Sequence, residues 1–318
     1  MKVAVLIPCH NEEATIGTVV ESFKTALPTA TIYVYDNNSA DRTVEYARQA
    51  GGVVRHERLQ GKGSVVRRMF ADIDSDVYVL VDGDATYDAA AATSMVDLLL
   101  SEHLDMVNGS RVADAGSAYR PGHRLGNSVL TSLVSLTFGS GLSDMLSGYK
   151  VLSRRLVKSM PLLSHGFEIE TELAVHALSL NMPISEVATR YRERPTGSES
   201  KLRTYRDGFR ILRAIILLIK EERPRSLFVV LSLLLTLLAL VLAAPVLATF
   251  IETGLVPRLP TAVLAASIML LASLSLTCGL ILDTVTRGRK EMKRIAYLAA
   301  GPLATGTAKP DRTKKAEA

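Results

Sequence analysis

Residues 76–84 read DVYVLVDGD, an apolar run that ends in two aspartates, Asp82 and Asp84, on either side of Gly83. The length and the β-branched content of the run predict a buried strand with an acidic end. Alternate side chains of an extended chain point to the same side, so both carboxylates can reach one cation. Paired carboxylates with few other ligands suit Mg²⁺ or Mn²⁺, which bind carboxylate and phosphate oxygens.

The chain before this strand alternates between strand and helix patterns. Strands are predicted at 2–8, 30–36 and 52–57, and helices at 11–27, 39–50 and 61–73. We expect the helix at 39–50 to be capped by Ser39 or Asp41. The βαβα order predicts an α/β domain with a mostly parallel sheet and helices on both faces. Ligands bind at the carboxyl ends of the strands in such sheets, which is where Pro8, Asp36, Glu57 and Asp82 fall.

The positive charge of the chain is unevenly distributed. The formal net charge is +5, yet residues 1–200 carry 19 basic and 24 acidic side chains. The basic excess lies at 201–225, with 8 basic against 3 acidic residues, and at 287–318, with 9 against 3. A main domain that binds nucleic acid should itself be basic, so we expect no nucleic-acid partner.

Two long uncharged segments lie between these basic stretches. Residues 226–250 and 259–282 contain no charged side chain, and each exceeds the roughly 20 apolar residues that cross a bilayer. The short link at 251–258 predicts a transmembrane hairpin. Its basic flanks place both termini and the first domain in the cytoplasm by the positive-inside rule. The prediction is a multi-pass protein of the inner (plasma) membrane; a buried hairpin of a large soluble protein is the alternative.

Four segments result from this reading. Residues 1–200 are expected to form a cytoplasmic α/β domain that carries the candidate site, 201–225 a juxtamembrane helix, 226–286 two transmembrane helices, and 287–318 a basic cytoplasmic tail. The juxtamembrane helix has one basic and one apolar face, which is typical of a helix at a lipid surface. The basic face comprises Arg206, Arg210, Arg213 and Lys220.

Several other classes of protein lack their motifs here. No GxGxxG follows the first strand, and no GxxxxGK[ST] is present, which disfavours a dinucleotide oxidoreductase and a P-loop enzyme. Cys9 and Cys278 are not expected to form a disulfide in a cytoplasmic domain. The six histidines show no metal-ligand spacing.

Four motifs, in order, carry a resemblance to a known family. IPCHNEE at 7–13, VYDNNSADRT at 34–43, GKGSVVR at 61–67 and DGD at 82–84 resemble motifs of the family 2 glycosyltransferases with the GT-A fold. Together with the hairpin, the chain looks like a polyprenyl-phosphate glycosyltransferase, the group that includes dolichol-phosphate glucose and mannose synthases. Two positions depart from the family pattern: Cys9-His10 stands where a tyrosine is usual, and Thr86 where an amide or acid is usual.

The resemblance implies roles for the donor site. The nucleotide-sugar would lie against Pro8, Asn11, Glu12, Asp36, Asn38, Lys62, Asp82 and Gly83. Asp82 and Asp84 would hold the metal that bridges the donor diphosphate. Lys62 begins a predicted helix, where bare N–H groups attract anions, so it is expected to meet a phosphate or the base. Each of these side chains also has an ordinary structural role, as a cap, a turn residue or a solvated charge.

The resemblance also implies an acceptor site for a lipid phosphate. Arg111, Arg124, Lys150 and Lys201 are the expected phosphate-binding cations, because guanidinium and ammonium groups suit that oxyanion. Arg111 and Asp84 would also contribute to catalysis. A phosphate monoester is already ionised at neutral pH, so a general base is optional. Glu168 and Glu170 are the candidates for one, and a helix start with acids in its first turn explains them equally well.

The expected function is therefore an inverting, metal-dependent hexosyltransferase that acts on polyprenyl phosphate at the cytoplasmic face, with UDP-glucose favoured as the donor. A homo-oligomer is possible. One alternative is the same fold with a hydroxyl acceptor on a glycolipid or glycan, for which a base would be required. The other is a catalytically silent membrane scaffold, against which the intact Asp36, Asp82 and Asp84 argue.

Overall fold

The computed structural model describes residues 1–113, 142–195, 212–213, 215–218, 220, 222 and 224–302. They belong to two compact units. The first contains residues 1–215 and the chain from 293 onward, and the second contains residues 216–292. These boundaries, after residues 215 and 292, differ from the expected segment boundaries after 200, 225 and 286. The expected segments remain a prediction about function.

The first unit is built on a seven-stranded sheet in the order β3-β2-β1-β4-β6-β5-β7. Only β6 runs antiparallel to its neighbours, β4 and β5, so the expected mostly parallel sheet is confirmed. The strands are β1 Val3–Cys9, β2 Thr31–Asp36, β3 Val53–His56, β4 Val77–Leu80, β5 Met106–Ala113, β6 Lys150–Ser153 and β7 Ile184–Tyr191.

Helices cover both faces of this sheet. They are α1 Ile16–Ala26, α2 Thr43–Gln49, α3 Lys62–Asp72, α4 Ala91–Ser101, α5 Arg154–Ser159 and α6 Ile169–Ser179. On one face, side chains of α1 and α4 join alternate residues of β1 and β4 in one apolar cluster, which includes Val5, Val79, Phe23 and Met95. On the other face, Phe70 of α3 lies 6.0 Å from the ring of Tyr78. Successive side chains of β4 point to opposite faces of the sheet, so this strand contributes to the apolar core on each face.

The strand register brings the ends of β1, β2 and β4 to one edge. Cys9 pairs with Asp36 across β1 and β2, and Leu6 pairs with Leu80 across β1 and β4. Pro8 and Asp82 each follow this last pair by two residues and therefore lie near the same edge. The sheet positions the expected site residues at its carboxyl edge, as the α/β pattern predicts.

Two local predictions need correction. Strand β4 ends at Leu80, so Asp82 and Asp84 lie in the turn after the strand, where Ala85 has a left-handed φ of 59°. Helix α2 begins at Thr43 rather than Ser39; Asp41 accepts the Thr43 N–H at 3.0 Å. The short polar side chains at 36–43 bond to the backbone of their own turn, which delays the helix by about one turn.

The chain returns to the first unit at its far end. Tyr297 donates its hydroxyl to Asp105 Oδ2 at 2.8 Å, and Arg155 lies over the Tyr297 ring at 5.0 Å. Arg154 donates to the carbonyl of Ala300 at 2.8 Å. Residues 293–302 are therefore part of the packing of this unit, although the whole second unit, residues 216–292, separates them from it in sequence.

The second unit is a hairpin of two helices, α7 Pro224–Thr253 and α8 Leu259–Ala299, the last residues of which belong to the first unit. Both helices are long and apolar enough to cross a membrane. Ser232 donates to the Ala272 carbonyl at 2.9 Å, and Gly279 lies against Phe228. Leu233, Leu237 and Leu270 are more than 60% exposed, so the helices meet through small residues and present leucine outward, as in bilayers. The described positions between 212 and 222 are helical. Residues 201–211, with Arg206 and Arg210 of the expected basic face, and the tail from 303 lie outside the described residues.

Candidate active site at the carboxyl edge of the sheet

Carboxylates from three strand ends gather around the thiol of Cys9. Burial raises the pKa of this thiol, and the charges of four acids raise it further: Glu12, Asp36, Asp82 and Asp84. Gly83 permits this convergence, because a Cβ there would lie 2.6 Å from Cys9 Sγ. The structure thus brings together four acids that lie up to 72 residues apart in the sequence.

Asp84 is held on both sides. Its Oδ1 accepts from the hydroxyl and the N–H of Thr86, at 2.6 and 3.2 Å, and its Oδ2 lies 2.5 Å from Arg194. Arg194 also lies 3.9 Å from Glu12. Burial raises the pKa of Asp84 and Asp82 adds to that, whereas Arg194 and Thr86 oppose it. Thr86 therefore orients Asp84, at the position where the family usually has an amide or acid.

Asp82 is paired with a lysine instead. The ammonium of Lys62 bridges Asp82 Oδ1 and Glu170 Oε1, and only 8% of the Lys62 side chain is exposed. Burial lowers the pKa of Lys62, but the two carboxylates outweigh it and raise the pKa overall. Lys62 therefore stays charged in the structure and faces two acids.

The GKG segment differs from the expected anion site. The N–H of Gly61 donates to Asn37 Oδ1, and those of Gly63 and Ser64 donate to carbonyls of His165 and Gly166. A Cβ on Gly61 or Gly63 would meet the backbone of residues 164–165 at 2.1–2.3 Å. The glycines here allow two backbones to approach closely, so the expectation of bare N–H groups at this helix start is wrong.

The expected nucleoside-binding residues lie together at the ends of β1 and β2. Asn11, in a left-handed conformation with φ 52°, accepts the Ala40 N–H at 2.8 Å. Asp36 accepts the Ser39 N–H at 3.1 Å, and Asn38 donates to the Arg58 carbonyl at 2.9 Å. Pro8 lies beside them, half-buried. These contacts fix the turns that follow β1 and β2, and the assignment of these residues to the donor remains a prediction.

Arg111 has a different partner from the one expected. Its guanidinium forms two 2.7 Å bonds to the carboxylate of Asp144, and 14% of its side chain is exposed. The stacking of Arg111 on Tyr191, at 5.6 Å, adds to this fixation. A bidentate carboxylate uses the same face of the guanidinium as a phosphate would. In this structure Arg111 is thus paired with Asp144 and mostly buried, and its assignment to the acceptor phosphate remains a prediction.

Lys150 also needs correction. Its side chain is fully buried, and its ammonium bonds Asn108 Oδ1 at 2.5 Å and the Met145 carbonyl at 3.3 Å. Burial lowers the pKa of Lys150 to about 8, although the negative charges of Asp144, Glu170 and Glu186 act to raise it. An acceptor phosphate cannot approach an ammonium with no exposed surface. Arg124 and Lys201, the other expected acceptor cations, lie outside the described residues.

The two candidate bases occupy the start of α6. Glu168 is the residue before the helix and Glu170 lies in its first turn, so the helix-start explanation holds. Burial raises the pKa of Glu170, and Lys62 opposes that rise. The two acids do not share a face as they would in a strand, and only Glu170 is in contact with the Lys62–Asp82 pair.

The donor set at the edge fits a divalent cation. Ion pairs connect four carboxylates, Glu12, Asp84, Asp82 and Glu170, to two cations, Arg194 and Lys62. Four negative and two positive charges leave a formal charge of −2. Among the described residues no group of three His, Cys, Asp or Glu could enclose a metal. If Asp82 and Asp84 are the metal ligands, as the sequence predicts, they would offer two hard oxygen ligands, and Mg²⁺ or Mn²⁺ would need phosphate and water for the rest.

Comparison with known proteins identifies the family. Residues 4–160 match the family model described as glycosyl transferase family 2. Glycosyltransferase AglJ of Haloferax volcanii is 34% identical over 303 residues, which is 93% of this chain and 98% of that protein. The chain belongs to glycosyltransferase family 2. Dolichyl-phosphate hexose transferase of the same organism is 29% identical over 222 residues, which is 70% of this family 2 chain and 96% of that protein.

Solved structures confirm the GT-A fold of this family 2 domain. Glucosyl-3-phosphoglycerate synthase from Mycobacterium tuberculosis, in complex with Mn²⁺ and UDP-glucose, has a TM-score of 0.56 to this chain and is 22% identical to it. The match covers 70% of this chain and 78% of the other. At this identity the likeness shows the fold, and it confirms the fold class that the motif order predicts.

Sequence reasoning missed three charged residues that the structure places among the candidate site residues. Arg194 follows β7 in the stretch RERP, Asp144 precedes β6, and Glu186 in β7 accepts from Asn108 at 2.7 Å and from the backbone of Ser143 and Asp144. None of them stands in one of the four motifs. Only the pairing of β5 with β7 and β6 shows that they approach residues from the first half of the domain.

Proposed function

We propose that this protein transfers a hexose from a nucleoside-diphosphate sugar to a polyprenyl phosphate at the cytoplasmic face of a membrane, in a reaction that needs Mg²⁺ or Mn²⁺. The observation that carries the proposal is the acidic edge of the sheet, where Asp82 and Asp84 converge in a chain that also holds two helices able to cross a membrane. The sugar donor explains the acids, and the lipid acceptor explains the helices.

The metal requirement is supported by the charge of the site. When bound, a divalent ion neutralises the charge that develops on the leaving nucleoside diphosphate. Asp82 and Asp84 would hold it, and Thr86 keeps the Asp84 carboxylate oriented. Arg194 brings a guanidinium to Asp84, close to where that diphosphate would lie.

The donor is proposed to bind along the ends of β1 and β2. Asn11, Glu12, Asp36 and Asn38 offer amide and carboxylate groups for the base and ribose. Glucosyl-3-phosphoglycerate synthase, which shares the fold, has been solved with UDP-glucose and Mn²⁺. We favour UDP-glucose for this chain.

The acceptor is proposed from the relatives and from the hairpin. Two relatives are named dolichyl-phosphate hexose transferase and dolichol-phosphate mannosyltransferase, the latter from Pyrococcus furiosus and 28% identical over 240 residues. A lipid phosphate is already an oxyanion at neutral pH, so the enzyme must position it rather than deprotonate it. This agrees with Glu170, which is bound to a lysine and is a poor candidate for a general base.

The test uses the purified full-length protein in detergent with undecaprenyl phosphate, Mg²⁺ or Mn²⁺, and a panel of UDP-, GDP- and dTDP-sugars. Mass spectrometry should show one new phospho-glycolipid, which is lost with chelator and in Asp84→Ala. Transfer only to a hydroxyl-bearing lipid would instead establish the alternative acceptor. Nucleotide binding without any transfer would leave the scaffold as the better description.

A further inference from the structure

Lys62 connects three elements at the acidic edge. It lies at the start of α3, and its ammonium reaches Asp82 after β4 and Glu170 in the first turn of α6. The Glu170 side chain is 5% exposed and that of Asp82 is 29% exposed. The lysine therefore links the one solvent-accessible acid of this group to a buried one.

The backbone around Lys62 leaves the lysine little freedom to turn elsewhere. Gly61 and Gly63 pack against the carbonyls of residues 164–165, and Gly63 donates its N–H to this loop. The loop is itself fixed, because Glu172 accepts the N–H groups of Leu163 and Ser164 at 2.8 and 2.9 Å. If Lys62 moved to a donor phosphate, Asp82 and Glu170 would lose their cation, and a buried carboxylate without a partner is costly.

We propose that Lys62 and Glu170 are positioning residues that set the affinity of Asp82 for the divalent cation. Because the ammonium of Lys62 is shared between Glu170 and Asp82, it neutralises the Asp82 carboxylate only partly. Asp82 can therefore still bind a metal ion. Lys62 in turn stops the acidic edge from binding the ion tightly before the donor arrives. This proposal rests on the proposed function, since it concerns the metal of that reaction.

The two residues should then act in opposite directions on metal binding. Lys62→Met removes a positive charge next to a metal ligand, so binding of the cation becomes tighter. Glu170→Gln leaves the whole ammonium to Asp82, so binding becomes weaker. Partners of metal ligands typically change the affinity by about 10- to 100-fold, and we expect shifts in that range.

The experiment measures Mn²⁺ binding to the full-length protein in detergent, without nucleotide and again at a fixed concentration of UDP, by electron paramagnetic resonance of the free ion. Lys62→Met should lower the Kd by about tenfold or more, and Glu170→Gln should raise it by a similar factor. The effect of Glu170→Gln should shrink in the Lys62→Met background, because it acts through the lysine. Lys62→Arg, which keeps the charge, should change the Kd by less than the about tenfold expected when a partner is lost.

Two exposed residues of α1 provide matched controls for the change in net charge. Lys24→Met and Glu21→Gln should leave the Kd for Mn²⁺ unchanged. If Lys62→Met does not fold, Glu170→Gln and Lys62→Arg still test the proposal, because only Glu170→Gln should weaken Mn²⁺ binding.

Other roles for the pair give other results. A lysine that contacts the donor phosphate would raise the KM for the donor in Lys62→Met and leave Mn²⁺ binding unchanged. A general base at position 170 would lower kcat in Glu170→Gln, again without a change in Mn²⁺ binding. Either result, or shifts in the same direction, overturns the proposal. Absence of Mn²⁺ binding to the wild type even with a nucleoside diphosphate would overturn the metal requirement of the proposed function instead.

Discussion

Arg111 and Asp144 show how a charged pair becomes structural once it is buried. Arg111 alone gives the sequence a phosphate-binding candidate, but the turn before β6 brings Asp144 within 2.7 Å of it. Burial would raise the pKa of Asp144, and Arg111 outweighs this and lowers it. The pair is therefore ionised, and removing one partner leaves a buried charge without compensation.

Arg111→Met should lower the free energy of unfolding by about 3–5 kcal/mol, as expected for a broken buried ion pair. Thermal or denaturant unfolding of the full-length protein in detergent checks this. Arg42→Met, which breaks the exposed pair of Arg42 with Glu45, is the control and should cause no measurable change. Unchanged stability in Arg111→Met, with a higher KM for the lipid acceptor, would restore Arg111 to the acceptor site.

Lys150 predicts a pH dependence of stability. The folded chain releases its proton near pH 8, whereas an unfolded chain does so near 10.4. Between these values the unfolded state binds more protons, so the contribution of Lys150 to stability rises with pH. The destabilisation caused by Lys150→Met should be larger at pH 9.5 than at pH 7.5, by about 1–2 kcal/mol.

Unfolding of the two proteins at both pH values provides the measurement. Lys24→Met, at an exposed lysine of α1, should show no such difference between the two pH values. An equal cost of Lys150→Met at pH 7.5 and 9.5 would mean that the buried ammonium keeps its ordinary pKa.

At the scale of elements, the contact between the start of α3 and the loop before α6 organises the site. The loop carries Glu170 to Lys62 and thereby to Asp82. Backbone lies against backbone here, so the contact tolerates no side chain on Gly61 or Gly63. The two glycines of the GKG motif thus allow close backbone packing in this protein. That packing positions Lys62, which lies between them.

Gly63→Ala should destabilise the protein by about 1–3 kcal/mol, the usual cost of overpacking, because its Cβ would lie 2.3 Å from the Ser164 carbonyl oxygen. Gly17→Ala in α1 is the matched control, since a Cβ there meets nothing within 4 Å. A helical glycine replaced by alanine in open space should stabilise by about 0.5–1 kcal/mol. Unfolding curves that shift in the same direction for both variants would contradict this assignment.

At the scale of the whole molecule, the first unit is not a continuous stretch of sequence. Asp105 is fully buried and accepts from Ser153, Arg155 and Tyr297, so one of its three donors comes from beyond the hairpin. The catalytic unit is thereby completed by residues 293–302. A chain that ends before them lacks part of the packing of that unit.

Truncation after residue 292 should therefore lower the midpoint of thermal unfolding, because Asp105 loses a hydrogen bond to a charged group, worth about 1.5–3 kcal/mol. Truncation after residue 302 keeps Tyr297 and the described contacts of Asp105 and should lower the midpoint less. Tyr297→Phe in the full-length chain should reproduce part of the first effect. Equal midpoints for the two truncated proteins would show that residues 293–302 add nothing to the stability of the unit.

The sequence alone determined the fold class, the family and the two candidate spans. These follow from local patterns: the continuous apolar run in DVYVLV, the order of four motifs, and uncharged runs of 24 and 25 residues. The convergence of Pro8, Asp36 and Asp82 was also predictable, because parallel strands end at one edge.

Only the tertiary structure decided the partner of each charged group. Arg194, Asp144 and Glu186 approach the site through long-range strand pairing, which no local pattern encodes. Lys150 and Arg111 look like surface cations in sequence, yet the sheet buries both, and burial forces each to find a partner inside the domain. The identity of a residue is local, whereas its charge state and its partner depend on what the fold places beside it.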